Sequence, residues 1–289
     1  MSIELFLQTF FNGLQGGLLL ILVALGITLV FGIMHIVNFA HGELYMVGAF
    51  VVWVLFAQHG VNYYLSIIVS MIIVAILGIL IERFFFRKYR GNLAPSFIIS
   101  LGFVMLLQTS TLLLFGITDK AVPPPPGFEG VVSLAGVVFP RERIIVSAIS
   151  VILIILLTLF MQRSKAGLAM RASAQDRDAA ALQGMNINTT ASFAMGIGCA
   201  LAAAAGALTA PIFYVNSYMG AAPIMKAFAV IILGGMGSLQ GAIIAGFIIG
   251  FVESFTSTFL GGSVSTMMVF GVLILVLVFR PRGLLGHAD

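Results

Sequence analysis

Apolar runs of about bilayer length punctuate this chain, and that pattern restricts its fold more than any other feature. The runs cover residues about 13–33, 44–58, 63–81, 96–118, 144–162, 191–213, 223–259 and 263–280. A helix needs roughly 20 apolar residues to cross a hydrocarbon core. These runs are nearly continuous, whereas the strands of a membrane barrel alternate. Charged residues make up 8% of the chain and hydrophobic ones 61%, with a mean hydropathy of +1.16. A soluble domain carries roughly 25% charged residues. The expected fold is an all-α polytopic membrane protein with about eight hydrophobic segments, forming one transmembrane domain over residues 1–289. The N-terminal stretch carries Glu4 and no basic residue, so the first run is expected to be retained rather than cleaved as a signal.

Lysine and arginine set the orientation. Arg83, Arg87, Lys88 and Arg90 follow the third run; Arg163, Lys165, Arg171 and Arg177 follow the fifth; Arg280 and Arg282 follow the last. All three clusters are expected in the cytoplasm. That makes the loop 119–143 and the N-terminus external. The basic residues behind the formal net charge of +4 sit between apolar runs, which gives no reason to expect a nucleic-acid partner. Pro123 to Pro126 should form a stiff extended segment of the external loop.

The run 223–259 is too long for one span, and GGMGS at 234–238 interrupts it. Both flanking loops are expected inside, so the chain must cross an even number of times between them. The run should therefore enter and return as two half-helices around Gly234–Gln240. A second interruption, Met34 to Glu43, follows the first run. Two breaks of this kind suggest two related halves, about 1–118 and 144–289.

Candidates for a translocation path are Asn38, His41, Gly42 and Glu43 at the first break. At the second they are Gly234, Gly235, Gly237 and Ser238. Ionisable groups at membrane depth are costly and usually face an interior cavity. The competing reading leaves His41 and Glu43 at the membrane surface, solvated or capping the next helix, with His35 a solvated turn residue. Glu253 reads as a structural group, paired or interfacial, and Lys226 as a side chain snorkelling to the external interface. Gly13 with Gly17, and Gly246 with Gly250, are spaced for close helix packing. Cys199 is the one cysteine and can form no internal disulfide. No metal-ligand cluster or phosphate-binding Gly-x-x-x-x-Gly-Lys occurs, so neither cofactor nor metal is expected. Energy for transport must come from another subunit, or transport is passive.

The stretch Arg171 to Gly184, RASAQDRDAAALQG, reads as a polar helix inside the cytoplasmic loop 163–190. Arg171, Gln175, Asp176, Arg177 and Asp178 keep it soluble. Ala179 and Ala180 favour helix and permit close approach, and Gly184 is a natural stop. By composition alone it is an ordinary loop. Its Asp-Ala-Ala-x-x-x-Gly spacing, however, resembles the Glu-Ala-Ala-x-x-x-Gly loop of ABC importer permeases, with Asp178 in place of Glu. That resemblance implies docking into a separate ATPase.

The stretches 17–50, 166–188 and 229–250 are together similar to the bacterial branched-chain amino acid ABC importer permeases, and among them to the H-type subunits. VNFAHGELYMVGAF is the more specific part of the likeness. It implies an inner-membrane permease that is not itself an enzyme. The partners it implies are a second related permease subunit, two cytoplasmic ATPases and a periplasmic binding protein delivering leucine, isoleucine or valine. No residue encodes the substrate, so urea, short amides or other amino acids stay open. The reading from another class is a passive channel or ion-coupled carrier, favoured by the paired breaks.

Overall fold

The computed structural model describes residues 3–134 and 137–286. Among these, eight helices are long and apolar enough to cross a membrane, and a further apolar helix is shorter. The order is α1 (Ile3–Met34), α2 (His41–Val52, wound on as a π-helix to Gln58), α3 (Tyr63–Ile81, extended by irregular turns to Tyr89) and α4 (Leu93–Phe115). A hairpin of β1 (Val131–Leu134) and β2 (Val137–Pro140) leads to α5 (Arg141–Arg163). Two short helices follow, α6 (Lys165–Gln175) and α7 (Arg177–Leu182). The chain closes with α8 (Ile187–Thr209), α9 (Ala221–Gly234), α10 (Leu239–Leu260) and α11 (Gly262–Phe279).

Two ends of the bundle can be told apart. At the basic end, Gly91 N–H donates to the Met34 carbonyl at 3.1 Å and Arg177 reaches the Ile33 carbonyl. The tail after α11 returns there, with Leu285 N–H on the Gly234 carbonyl at 3.0 Å. At the opposite end, Lys120 and Val215 exchange backbone hydrogen bonds of 2.9 Å, and Phe139 of β2 packs on Phe11. No strand is expected here from the sequence: two four-residue stretches, VVSL and VVFP, are too short to show an alternating pattern.

Packing at the centre depends on missing side chains. Without a hydrophobic force between helices in lipid, close approach of small residues does the holding. α1 and α8 cross at Gly26 and Gly198, where a Cβ on either would stand 2.6 or 2.7 Å from the other's carbonyl oxygen. The two small-residue motifs meet each other, Gly13 and Gly17 of α1 lying on Gly250 and its neighbours in α10. The outer helices α4, α5 and α11 instead present exposed apolar side chains such as Leu113, Ile152 and Leu275. In lipid that exposure carries no penalty.

The contacts pair up. α1 packs chiefly on α10, as α3 does on α8, while α1 meets α8 and α2 meets α9. Exchanging α1 with α8, α2 with α9 and α3 with α10 preserves this pattern. The sequence carries a trace of it in Val37-Asn38-x-x-x-Gly42 and Val215-Asn216-x-x-x-Gly220. The break matching 35–40 in the packing is thus 211–220, not the turn at 235–238 with which the sequence reading paired it. That turn, where Ser238 Oγ caps α10 by accepting from Gly241 N–H, matches the turn before α3, capped by Asn62.

The helix break inside 223–259 falls where expected, but its depth differs. The turn lies at the basic end, with Gly237 beside Gly32. The deep terminus is the other end of α9. Counting 14 residues back from Gly234 puts Gly220 roughly 21 Å into the bundle at 1.5 Å per residue. Residues 211–220, between the runs 191–213 and 223–259, carry Pro211, Asn216, Ser217 and Gly220, turn formers that return the chain to the start of α9.

Candidate functional site

α2 and α9 both begin inside the bundle and run apart, α2 toward the opposite end and α9 toward the basic end. Their first turns abut. A Cβ on Gly42 would stand 2.5 Å from the Gly220 carbonyl oxygen. Neither helix has a side-chain cap, the preceding residues being Ala40 and Gly220. A helix N-terminus leaves up to four N–H groups without intrahelical partners, and burying such an end is unusual.

Polar side chains gather at this junction. Asn38, His41 and Glu43 are each at most 2% exposed. Glu43 Oε1 accepts from Gln108 Nε2 of α4 at 2.8 Å. Among the described residues, the Asn38 amide and Glu43 Oε2 find no hydrogen-bond partner, and the buried His41 ring has the Val23 backbone as its polar neighbour. His41 faces α1 at Gly26, where a Cβ would meet its Nε2 at 2.6 Å. The residues from the first break therefore come together in the interior and away from the surface, whereas His35 reaches the basic end beside Arg177. Phe39, in the same break, packs on Phe97 and Phe228.

Above the junction a cavity of about 560 Å³ opens toward the opposite end. Val23, Tyr45 and Met219 form its deep part, and α1, α9 and α10 its walls. Lys226 of α9 and Glu253 of α10 form an ion pair on one wall. Lys226 does not snorkel outward as expected. α9 starts at depth, so its sixth residue stays inside, where a carboxylate answers its charge. Asn38, His41, Gly42 and Glu43 do not line this cavity. The residues of the second break, Gly234, Gly235, Gly237 and Ser238, are separate from it and sit at the basic end. There Gly235 adopts φ +101° and a Cβ on it would meet Gly286 N at 2.5 Å.

The loop 163–190 also lies at the basic end. In place of the single polar helix expected over 171–184, it forms two helices that break at Asp176. Asp176 leaves the helical conformation to accept from the N–H groups of Asp178 and Ala179, both at 2.9 Å. A short acid that competes for backbone hydrogen bonds suits a cap better than a helix interior. Gly184, at φ +81°, ends α7 as expected. Arg171, Gln175, Asp178 and Ala179 are exposed, while Ala180 is buried. Arg177 ties the loop to α1, its Nε and Nη2 donating to the Ile33 carbonyl at 3.0 and 2.8 Å. Burial, with Arg90 nearby, pushes its guanidinium below its ordinary value and Asp178 draws it back up; an arginine stays charged throughout. Two features escaped the sequence reading. Leu168 and Leu182 are 54% and 86% exposed on this polar surface, and a groove of about 510 Å³ lined by Arg83, Arg87 and Asn186 runs beside it. The leucines' place in a polar stretch was the available signal.

The family described as branched-chain amino acid transport system / permease component matches residues 9–278. The chain belongs to that family. Its relatives include the high-affinity branched-chain amino acid transport system permease protein BraD of Pseudomonas aeruginosa, 35% identical over 98% of this chain and 97% of BraD. LivH of Escherichia coli, of the same description, is 33% identical over 98% of this chain and 96% of LivH. LivM of the same organism is 24% identical over 92% of this chain and 67% of LivM. Among solved structures, a chain of PsaBC from Streptococcus pneumoniae in complex with Fab matches with a TM-score of 0.51 at 16% identity, covering 94% of this chain and 91% of that one. That likeness is one of fold. The permease is a multi-pass inner-membrane protein and a transport component rather than an enzyme.

Proposed function

We propose that this permease carries leucine, isoleucine and valine inward as one subunit of an ATP-driven importer. The carrying observation is the family match over almost the whole chain, with BraD and LivH alike in length. LivH and LivM are both similar to this chain and occur in one organism. That supports a second, related permease subunit as its partner. The exposed face of α6 and α7, with Arg171, Gln175, Asp176, Asp178, Ala179 and Gly184, is the surface offered to a cytoplasmic ATPase, with Ala180 buried beneath it and Arg177 holding it to α1. Leu168 and Leu182 supply its apolar contact. A binding protein delivers substrate to the opposite end.

The path begins in the cavity and continues through the junction of α2 and α9. An unpaired buried polar group costs about 1–3 kcal/mol, and those of Asn38 and Glu43 crowd beside His41. They gain partners when the half-helices part and water or substrate enters. Gly42 is the contact that must open, and Gly234, Gly235, Gly237 and Ser238 form the hinge and rim at the basic end. The two halves of the chain move as an inverted repeat about this junction.

Labelled leucine uptake tests the reading, in cells lacking the chain and with it restored, competed by isoleucine, valine, urea and ribose. Chain-dependent uptake that yields only to isoleucine and valine is the expected result. Leucine uptake indifferent to the chain overturns the substrate. Leu182→Glu and Gly184→Arg should abolish uptake and ATPase co-purification together; normal co-purification would reject the docking face.

A further inference from the structure

A branched-chain amino acid crosses as a zwitterion, and one wall of the cavity pairs a fixed charge of each sign, with Arg143, held by Asn12, a further cation on its lining. Lys226 and Glu253 are partly accessible there, with side chains 24% and 36% exposed, and they pair with each other. They belong to different helices, α9 and α10, joined through the turn at 235–238. Hydroxyls and an amide line the same space at Gln15, Thr209, Ser257 and Thr258, and Leu19, Leu20 and Ile212 supply apolar surface. Its volume falls in the range of roughly 300–1,000 Å³ typical of small-molecule sites.

We propose that Lys226 and Glu253 form a transient zwitterion subsite, resting on the amino-acid reading above. The substrate carboxylate takes the Lys226 ammonium and the substrate ammonium takes the Glu253 carboxylate, each exchanging one charged partner for another. The aliphatic side chain lies on the α1 wall. A partly exposed ion pair is weakly held and can be split without large loss. The exchange leaves the Lys226–Glu253 pair balanced before and after, whereas a simple anion or cation would answer one of the two charges and strand the other. Because each charge sits on one of the two helices flanking the turn, substrate bridging draws on the same elements that must shift to open the path. This subsite selects for the α-amino acid backbone, whereas urea and amides lack the charge pair that it matches.

The test uses the assembled transporter with its partner subunits and binding protein in proteoliposomes. Two double variants are compared with wild type. Lys226→Met with Glu253→Gln removes both charges and leaves neither unpaired. Lys226→Glu with Glu253→Lys keeps an ion pair but reverses it, turning the substrate side chain away from the apolar wall. Both should lower leucine uptake at saturating binding protein by at least about tenfold, the equivalent of one lost charge-assisted hydrogen bond. The binding-protein concentration for half-maximal uptake should not move. Either variant carrying leucine at the wild-type rate reduces the pair to a packing feature and overturns the proposal. Failure of both to assemble assigns the pair to the fold and overturns it as well. Wild-type transporter that carries no branched-chain amino acid rejects the functional reading itself, and the subsite falls with it.

Discussion

Gly42 and Gly220 touch backbone to backbone inside the bundle, at the starts of two helices that run to opposite ends. A Cβ on Gly42 would stand 2.5 Å from the Gly220 carbonyl oxygen and 2.7 Å from the Ile224 Cβ. Neither obstacle is the free end of a flexible side chain, so the helices themselves would have to separate. Gly42→Ala should cost about 1–3 kcal/mol, the usual range for overpacking, and should slow uptake. Gly102→Ala in α4 is the contrast: its Cβ would meet nothing within 4 Å. It should be neutral or stabilise by up to about 1 kcal/mol through helix propensity. Thermal unfolding of the detergent-purified complex distinguishes the pair, and equal melting temperatures would refute the close contact.

Glu82 anchors the basic end of α3 to the start of α8. Fully buried, it receives Arg87 at 3.1 Å, Arg90, and the Ser192 hydroxyl at 2.6 Å. Removing one partner of a buried ion pair strands the others. Glu82→Ala should destabilise the protein by about 3–5 kcal/mol, and Ser192→Ala by about 1 kcal/mol. Urea or thermal titration in detergent measures both. A Glu82→Ala melting temperature equal to that of wild type would show that the arginines find water instead.

Much of this was legible in the sequence. Continuous apolar runs and the basic clusters between them specify the spans, because lipid leaves a helix as the one local way to satisfy the backbone. Small-residue spacing specified close contact, and Gly13, Gly17 and Gly250 do meet. The depth of the breaks was not legible. Gly220 and Gly237 both sit in glycine-containing turns, and only the three-dimensional path shows that one is interior and the other at an end. Asp176 lay inside an apparently continuous helical stretch, yet its capping role depends on a local φ/ψ choice that helical composition does not reveal. The Lys226–Glu253 pair joins residues 27 apart, a partnership that no local pattern encodes.

Orientation rests on the basic clusters and can be read chemically. Pro124 and Asp178 are both exposed, in loops at opposite ends of the bundle. Cys199 is fully buried against Gly78, so it should stay silent toward a thiol reagent. Pro124→Cys should label with a membrane-impermeant maleimide added to intact spheroplasts, and Asp178→Cys only after lysis. The reverse pattern would invert the whole topology and move the docking face outside.

Arg177 ties the loop proposed to dock an ATPase to the end of α1, since the carbonyl it grips belongs to Ile33, the residue after the Gly32 that lies against Gly237. A planar guanidinium delivers two N–H groups to one oxygen, which a lysine cannot reproduce. If α7 moves when an ATPase closes, this contact transmits the motion to the end of α1. Arg177→Ala should therefore leave ATPase co-purification intact, because the exposed face of α6 and α7 remains. Leucine carried per ATP hydrolysed should fall by about tenfold or more, the scale of one charge-assisted hydrogen bond. Arg177→Lys should recover only part of the loss. Purified complex in proteoliposomes, assayed for both leucine and phosphate, gives the ratio directly. An unchanged ratio in Arg177→Ala would mean that force passes to the bundle elsewhere, through α6 and its contacts with α5 and α8.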